Sequence, residues 1–146
     1  MYIFDLDGTI ALNEHRQHYL PKEGKKDWVA WNKACVDDTI HHGVVEIMHA
    51  LSMAGQKCHI ITGRSAVVRK QTVLWLKKHN IPFGTLMMRP GMDHRDDCII
   101  KLEMLRAVES MYPGDKVIAI FEDRQKVVNM WRKEGYTCLQ VAPGDF

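Results

Sequence analysis

No stretch of this sequence stays apolar for the roughly 20 residues that a membrane-spanning helix requires. Nor does the charged-then-apolar pattern of a cleaved leader come before the first strand-like run, "YIFDL". No membrane partner is expected. Cysteine is sparse: Cys35, Cys58, Cys98 and Cys138 are scattered, with no CxxC pair. That spacing speaks against structural zinc and a disulfide framework, and for a reduced, cytoplasmic setting. Charge of one sign is also nearly lacking, since 20 Lys and Arg face 18 Asp and Glu and leave +2. Such a balance suits an anionic ligand without building the basic stripe of an extended duplex binder. There is no repeat, low-complexity tract or Gly/Ser linker, so residues 1–146 are expected to form a single domain. With 46% apolar and 26% charged residues, that domain can bury a proper core.

What the sequence does contain is alternation. Short β-rich apolar runs, "YIFDL", "KCHIIT", "GTLMMR", "KVIAIF" and "TCLQVA", are separated by amphipathic segments. The runs are almost continuously apolar, as strands covered on both faces must be. Val44, Ile47, Met48 and Leu51 follow the i, i+3, i+4, i+7 spacing of a helix that Gly55 closes. Ser65 to His79 and Asp96 to Tyr112 read as two more helices, and Val127, Val128 and Trp131 mark another ending before Gly135. The order predicts an α/β fold, a Rossmann-like three-layer sandwich around a five-stranded parallel sheet with right-handed crossovers. Residues 13–42 break the alternation, because crossover loops usually run about 2–6 residues. They are expected to form a small helical cap inserted after the first strand. Within them "DWVAWNKACVDD" reads as a short helix, with Asp27 as N-cap and Trp28, Trp31 and Cys35 along one face.

Ligands of such sheets sit beyond the carboxyl ends of the strands. The first strand ends in Asp5-Leu6-Asp7-Gly8-Thr9, the second in Thr62-Gly63-Arg64-Ser65, the third in Met88-Arg89-Pro90-Gly91 and the fourth in Phe121-Glu122-Asp123-Arg124. Lys101 lies in the first turns of the helix before the fourth strand. Burying Asp5 and Asp7 so close together is costly unless a cation sits between them. Carboxylates from two strands, with cationic and hydroxyl groups from their neighbours, suit a hard divalent cation and a phosphate. Taken alone, a DxD at a strand end also reads as a surface turn.

DxDGT, T-G-R, a lysine and an acidic pair, in that order, resemble the haloacid dehalogenase superfamily of phosphotransferases. Beyond those motifs, "RPGMDHRDDCIIK" and "VVNMWRKEGYTCLQVAPGDF" are similar to the phosphatase domain of phage polynucleotide kinases and related stand-alone phage phosphatases. The resemblance covers essentially the whole chain and is weakest in residues 13–42. It implies that Asp5 is the nucleophile of an aspartyl-phosphate mechanism and that Asp7 moves the proton. It implies Mg²⁺ held by Asp5, the backbone carbonyl of Asp7, and Asp123, with Thr62 and Lys101 on the transferring phosphoryl oxygens. Arg64, Arg89 and Arg124 would contact the phosphate or the adjacent nucleotide. The acidic pair is Glu122-Asp123 where the family often has two aspartates, so Glu122 is expected behind the metal ligand. No G-x(4)-G-K-[ST] occurs, and kinase activity is not expected.

The substrate so implied is a nucleic-acid 3′-phosphate end, removed by a Mg²⁺-dependent phosphatase in the cytoplasm, that of a host if the source is a phage. The alternatives are a nucleotidase on free nucleoside monophosphates, and a silent member that only binds phosphorylated nucleic acid. Trp28 and Trp31 either stack on a base or pack the cap onto the core. His15 and His18 lie in the cap as candidate substrate contacts, and Trp75 and Trp131 belong to the core. Asp93, Arg95 and Asp97 read as an internal ion-pair network shaping the loop before Lys101. Oligomeric state is not legible.

Overall fold

The computed structural model describes residues 1–144. The last two residues of the Gly-Asp-Phe ending noted above lie outside them. In chain order the strands are β1 (Tyr2–Phe4), β2 (Ala11–Leu12), β3 (Thr39–Ile40), β4 (Cys58–Ser65), β5 (Leu86–Arg89), β6 (Ala119–Glu122) and β7 (Cys138–Gln140). The helices are α1 (Trp28–Lys33), α2 (His42–Met53), α3 (Arg69–Lys78), α4 (Asp97–Met111) and α5 (Gln125–Lys133). Five strands form one parallel sheet in the order β5-β4-β1-β6-β7. This is the α/β fold that the alternation predicts. The strand order reverses between β1 and β6, where a crevice opens at the carboxyl edge.

Successive residues of a strand point to opposite faces, and both faces are covered here. Phe4, Ile60, Leu86 and Phe121 pack with Val44, Met48, Trp75 and Leu76 of α2 and α3. Ile3, Ile61 and Ile120 pack with Ile100, Leu105, Val108, Val128 and Trp131 of α4 and α5. Double coverage is why the strand sequences are continuously apolar. The Phe4 and Phe121 rings stack 4.4 Å apart, tying together the strands that carry Asp5 and Asp123.

Two local departures come from hydrogen bonding that periodicity does not register. β4 runs on through Ser65, because Ser65 pairs with Arg89 after a register shift. Arg64 is therefore a strand residue, and the helix expected from Ser65 is a 3₁₀ turn, Ala66–Val68, followed by α3. The insertion is framed by a two-stranded antiparallel ribbon, β2 with β3, too short to show in the sequence. Between these strands lie a 3₁₀ turn, Glu14–Tyr19, then α1 and a second 3₁₀ turn, Ala34–Asp37. Asp27 caps α1 by accepting a bond from the Ala30 amide at 2.9 Å. Trp31 and Cys35 are buried on one side of this segment, but Trp28 is 54% exposed and does not share their face. Ala11 and Ile40 join the insertion to the core, and α2 starts at His42, the last residue assigned to the cap from sequence.

Truncating Phe4 removes half of the stacked pair from a fully buried position. Phe4→Ala is expected to cost about 3–5 kcal/mol of stability, read from urea unfolding midpoints.

Candidate active site

The sharp turn after β1 makes the site possible. The amides of Thr9, Ile10 and Ala11 all donate to the Leu6 carbonyl, at 3.3, 3.0 and 2.8 Å. Gly8 turns the chain at φ +88°, and a Cβ there would lie 2.1 Å from Asp123 Oδ2. Glycine is needed twice over, for the backbone angle and for the approach of Asp123. The Thr9 hydroxyl then donates to Asp123 Oδ1 at 3.3 Å. Gly63 plays a similar part on β4, where a Cβ would meet Asp97 Oδ1 at 2.4 Å.

Two buried charge clusters flank this turn. In the first, Lys101 Nζ lies 2.7 Å from Asp5 Oδ1, 2.8 Å from Glu122 Oε2 and 3.6 Å from Asp97 Oδ2. Asp5, Glu122 and Asp123 are all buried, with one oxygen of each lying within 4.8 Å of the others. One ammonium does not balance them. Burial, then the neighbouring Glu122, push the Asp5 carboxyl well above its ordinary range despite Lys101. The same two causes raise Asp123 to about 7. Burial alone would lower Lys101, but Asp5, Glu122 and Asp97 together raise it, so it keeps its proton.

The donor set fits a hard divalent cation, which takes oxygen ligands and would cancel the excess negative charge. Glu122 Oε2 is engaged by Lys101, and its Oε1 accepts from the Asp123 and Arg124 amides, both at 3.2 Å. Asp5 and Asp123 are less engaged and are the better placed to hold the ion. Thr62, buried within β4 just before its register shift, accepts from the Arg64 amide at 3.0 Å and keeps its hydroxyl proton to donate.

The second cluster was not legible as a unit. Arg64 is buried, and its guanidinium contacts Asp7 at 2.5 and 3.1 Å, Asp38 at 2.8 Å and the Thr72 hydroxyl at 3.4 Å. Arg16, fully buried in the insertion, also bonds both Asp7 and Asp38, the latter at 2.6 Å through Nε and Nη2. His15 Nε2 joins Asp38 at 2.9 Å. Two arginines and two aspartates neutralise each other away from solvent. Burial would raise Asp7, but Arg64 and then Arg16 outweigh it and hold the carboxyl at about 2. Arg16 and Asp38 went unnoticed because arginines and aspartates in a long insertion are usually solvated. The available signal was "HR" nine residues beyond Asp7 and the acidic pair just before β3.

The remaining sequence candidates divide. Arg89 bonds the carbonyls of Gly63, Asp93 and Arg95 at 3.1, 3.2 and 2.8 Å, and Asp97 at 2.8 Å, tying β5 to the loop before α4. Arg95 pairs with Asp93 and Glu103 on the surface at 2.7 and 2.8 Å. Arg124 lies half exposed at the start of α5, 3.7 Å from Asp97 Oδ2. Trp31 packs under Arg16, ring centroid to Cζ 4.0 Å, and Trp75 donates to the Asp38 carbonyl at 2.8 Å. His18 packs at a tilt against the Tyr19 ring, centroids 3.9 Å apart.

The model of the polynucleotide kinase PNKP phosphatase domain family matches residues 1–146. The chain belongs to that family. A protein of Autographa californica nuclear polyhedrosis virus named "Putative bifunctional polynucleotide kinase/RNA ligase" is 32% identical over 135 residues, 88% of this chain and 17% of the viral protein. A chain in the solved Pnkp1/Rnl/Hen1 RNA repair complex is 32% identical with a TM-score of 0.83, covering 99% of this chain and 43% of that one. The chain therefore spans less than half the length of those two relatives. CbbY from Rhodobacter sphaeroides, solved with phosphate, shares 14% identity and a TM-score of 0.65 over 98% of this chain and 85% of its own. A haloacid dehalogenase-like hydrolase from Streptococcus pneumoniae gives 12% identity and 0.68, over 95% and 82%. The last two show the haloacid dehalogenase-like fold. Among the described residues no helix is long and apolar enough to cross a membrane.

Asp38→Asn leaves two buried guanidiniums facing Asp7 alone. It is expected to destabilise the protein by about 3–5 kcal/mol, measured by urea unfolding. A pH dependence follows from the other cluster. The raised Asp5 and Asp123 carboxyls keep protons in the folded, metal-free protein that the unfolded chain releases near pH 4. Between about pH 4 and pH 7 these groups therefore make the metal-free fold lose stability as pH rises. Thermal midpoints in EDTA and in Mg²⁺ check this, and the Mg²⁺-induced rise should be larger at about pH 8 than at about pH 5.5.

Proposed function

We propose that the chain is a Mg²⁺-dependent phosphatase that removes phosphate from nucleic-acid 3′ ends through an aspartyl-phosphate on Asp5. One observation carries the reading. Asp5 is buried at the strand-order reversal, in contact with Lys101 and clustered with Asp123, and Asp7 stands two residues further on in a separate charge environment. A binding module has no use for a carboxylate so placed beside a second one with a different proton affinity. Membership of the PNKP phosphatase family and likeness to a chain of an RNA repair complex support nucleic acid as the substrate class. The insertion is short, a two-stranded ribbon, two 3₁₀ turns and one six-residue helix, which supports a polymer end over an enclosed small molecule.

In this mechanism a carboxylate oxygen of Asp5 attacks phosphorus and the bond from phosphorus to the 3′ oxygen breaks. Asp7 gives its proton to that departing oxygen. Water then attacks the aspartyl-phosphate, loses a proton to Asp7, and the bond to Asp5 breaks, releasing phosphate. Asp5, Asp123 and the Asp7 carbonyl would hold the divalent cation, whose charge would offset the repulsion of carboxylate and phosphate. Lys101 and the Thr62 hydroxyl hold phosphoryl oxygens, and Glu122 holds Lys101 in place.

The two arginines on Asp7 favour its anion, the form needed to accept the proton of water. The acid half needs the other form, and an arriving phosphate dianion is the like charge that raises its proton affinity. Arg64 is thus assigned to Asp7 before phosphate, whereas Arg124, at the rim of the site, is the better candidate for a direct phosphate contact.

Phosphate release is measured from a 3′-phosphorylated oligonucleotide, its 5′-phosphorylated counterpart, and 3′- and 5′-mononucleotides, each with Mg²⁺ or EDTA. Release from the 3′-phosphorylated strand with Mg²⁺ only is expected, and release from mononucleotides alone replaces this reading with a nucleotidase. Asp5→Asn should abolish turnover, a loss of at least about 10³-fold, with its circular dichroism unchanged.

A further inference from the structure

The outer side of the cap carries a surface that the proposed chemistry does not use. Residues 22–33 place Lys22, Lys25, Lys26 and Lys33 in solvent, against Glu23 and Asp27. Asp27, itself exposed, accepts from the Ala30 amide to cap α1. None of these four lysines makes an ion pair among the described residues. In their midst the indole of Trp28 is 54% exposed and the neighbouring Val29 is 65% exposed. Lys26 Nζ stands 5.9 Å from the centre of the Trp28 ring. Lys25, Lys26, Asp27, Trp28 and Val29 together line an open groove of about 580 Å³.

Leaving a tryptophan in water is unfavourable, and α1 had a way to avoid it. Its other tryptophan, Trp31, is buried beneath Arg16, whose far side bonds Asp7. Trp28 lies one turn earlier on the same helix, about 5 Å along its axis. The short helix that carries the groove thus also carries Trp31, which packs against the arginine bonded to the proton-moving carboxylate. The combination of a flat aromatic face and unpaired ammonium groups is what a single nucleic-acid strand requires, a platform for a base and cations for the flanking phosphates.

We propose that the Lys25–Trp28 groove is the docking track for the single strand that leads up to the 3′-phosphate, with Trp28 stacked on a base and Lys25 and Lys26 on the backbone. The inference deepens the nucleic-acid reading above and rests on it. It also divides the labour of the cap. Its inner half, Arg16 and Trp31, steadies Asp7, and its outer half selects a polymer over a monomer.

The test uses direct binding, so that it does not depend on turnover. In the full chain carrying Asp5→Asn, fluorescence anisotropy gives the affinity for a labelled twelve-nucleotide single strand ending in a 3′-phosphate. Adding Trp28→Ala should weaken binding about tenfold, the scale of one stacked base, and Trp28→Phe should restore most of it. A mononucleotide 3′-phosphate, which has no preceding base to lay on Trp28, should lose less than about twofold. Lys25→Ala with Lys26→Ala should lower the slope of log affinity against log salt by about 1.4, roughly 0.7 for each phosphate contact. Both sites are exposed, and unchanged thermal midpoints show that the variants fold. Equal affinity of Trp28→Ala and its parent for the long strand overturns the proposal, as does an unchanged salt slope or no measurable binding at low salt. The phosphatase reading fails separately, if the wild-type protein binds the strand through this groove and releases no phosphate from it.

Discussion

Three carboxylates and one ammonium meet at the carboxyl edge of the sheet, and the surplus negative charge among them governs the rest of the site. Asp5, Glu122 and Asp123 approach one another because β1 and β6 are adjacent and both strands end there. Lys101 reaches in from α4 and contacts Asp5 and Glu122 at once. In a medium of low polarity such a set holds together only by taking up protons or a cation. The raised carboxyls are the first response, and the oxygen donors facing a common point provide for the second. A doubly wound sheet creates this situation at one place, the reversal between β1 and β6.

A few ångströms of chain separate that cluster from one of opposite character. Asp7 is surrounded by compensating charge, with Arg64 from β4 and Arg16 from the insertion closing on it and on Asp38. Two carboxylates two residues apart therefore differ in proton affinity in opposite directions. Environment alone divides them. The insertion also acquires a structural reason to sit where it does, since its arginine is fully buried only when it faces both aspartates.

The main architecture was legible in the residues themselves. Continuous apolar runs gave the parallel strands, and α4 spans Asp97–Met111 between the Asp96 and Tyr112 ends that its pattern marks. Asp5, Asp123 and Lys101 cluster at that edge, and Thr62 lies in the neighbouring strand β4. The insertion was less readable, because its structure rests on short ribbons and 3₁₀ turns with no strong period. Trp28 and Trp31 illustrate the loss. Three residues apart, they share a helical stripe in sequence, yet Trp31 is covered by Arg16 and Trp28 faces water. Arg64 was placed correctly at a strand end, but its partner could not be inferred, because a buried aspartate in the cap has no local signature. Such pairings are long-range facts, fixed only when the chain brings Asp38 to Arg64 from 26 positions away.

The close seating of Asp123 against Gly8 leaves no gap in which a side chain could intervene. The surface that Asp123 meets is main chain, fixed by a turn whose amides converge on a single carbonyl. Its dimensions are thus inherited from peptide geometry, which does not vary with rotamers or with repacking of the helices outside. A lineage of this fold is free to exchange much of its helical packing and the outer side of its cap while the spacing between β1 and the acidic loop after β6 stays constant. Chemistry can then be conserved across sequences that share little else.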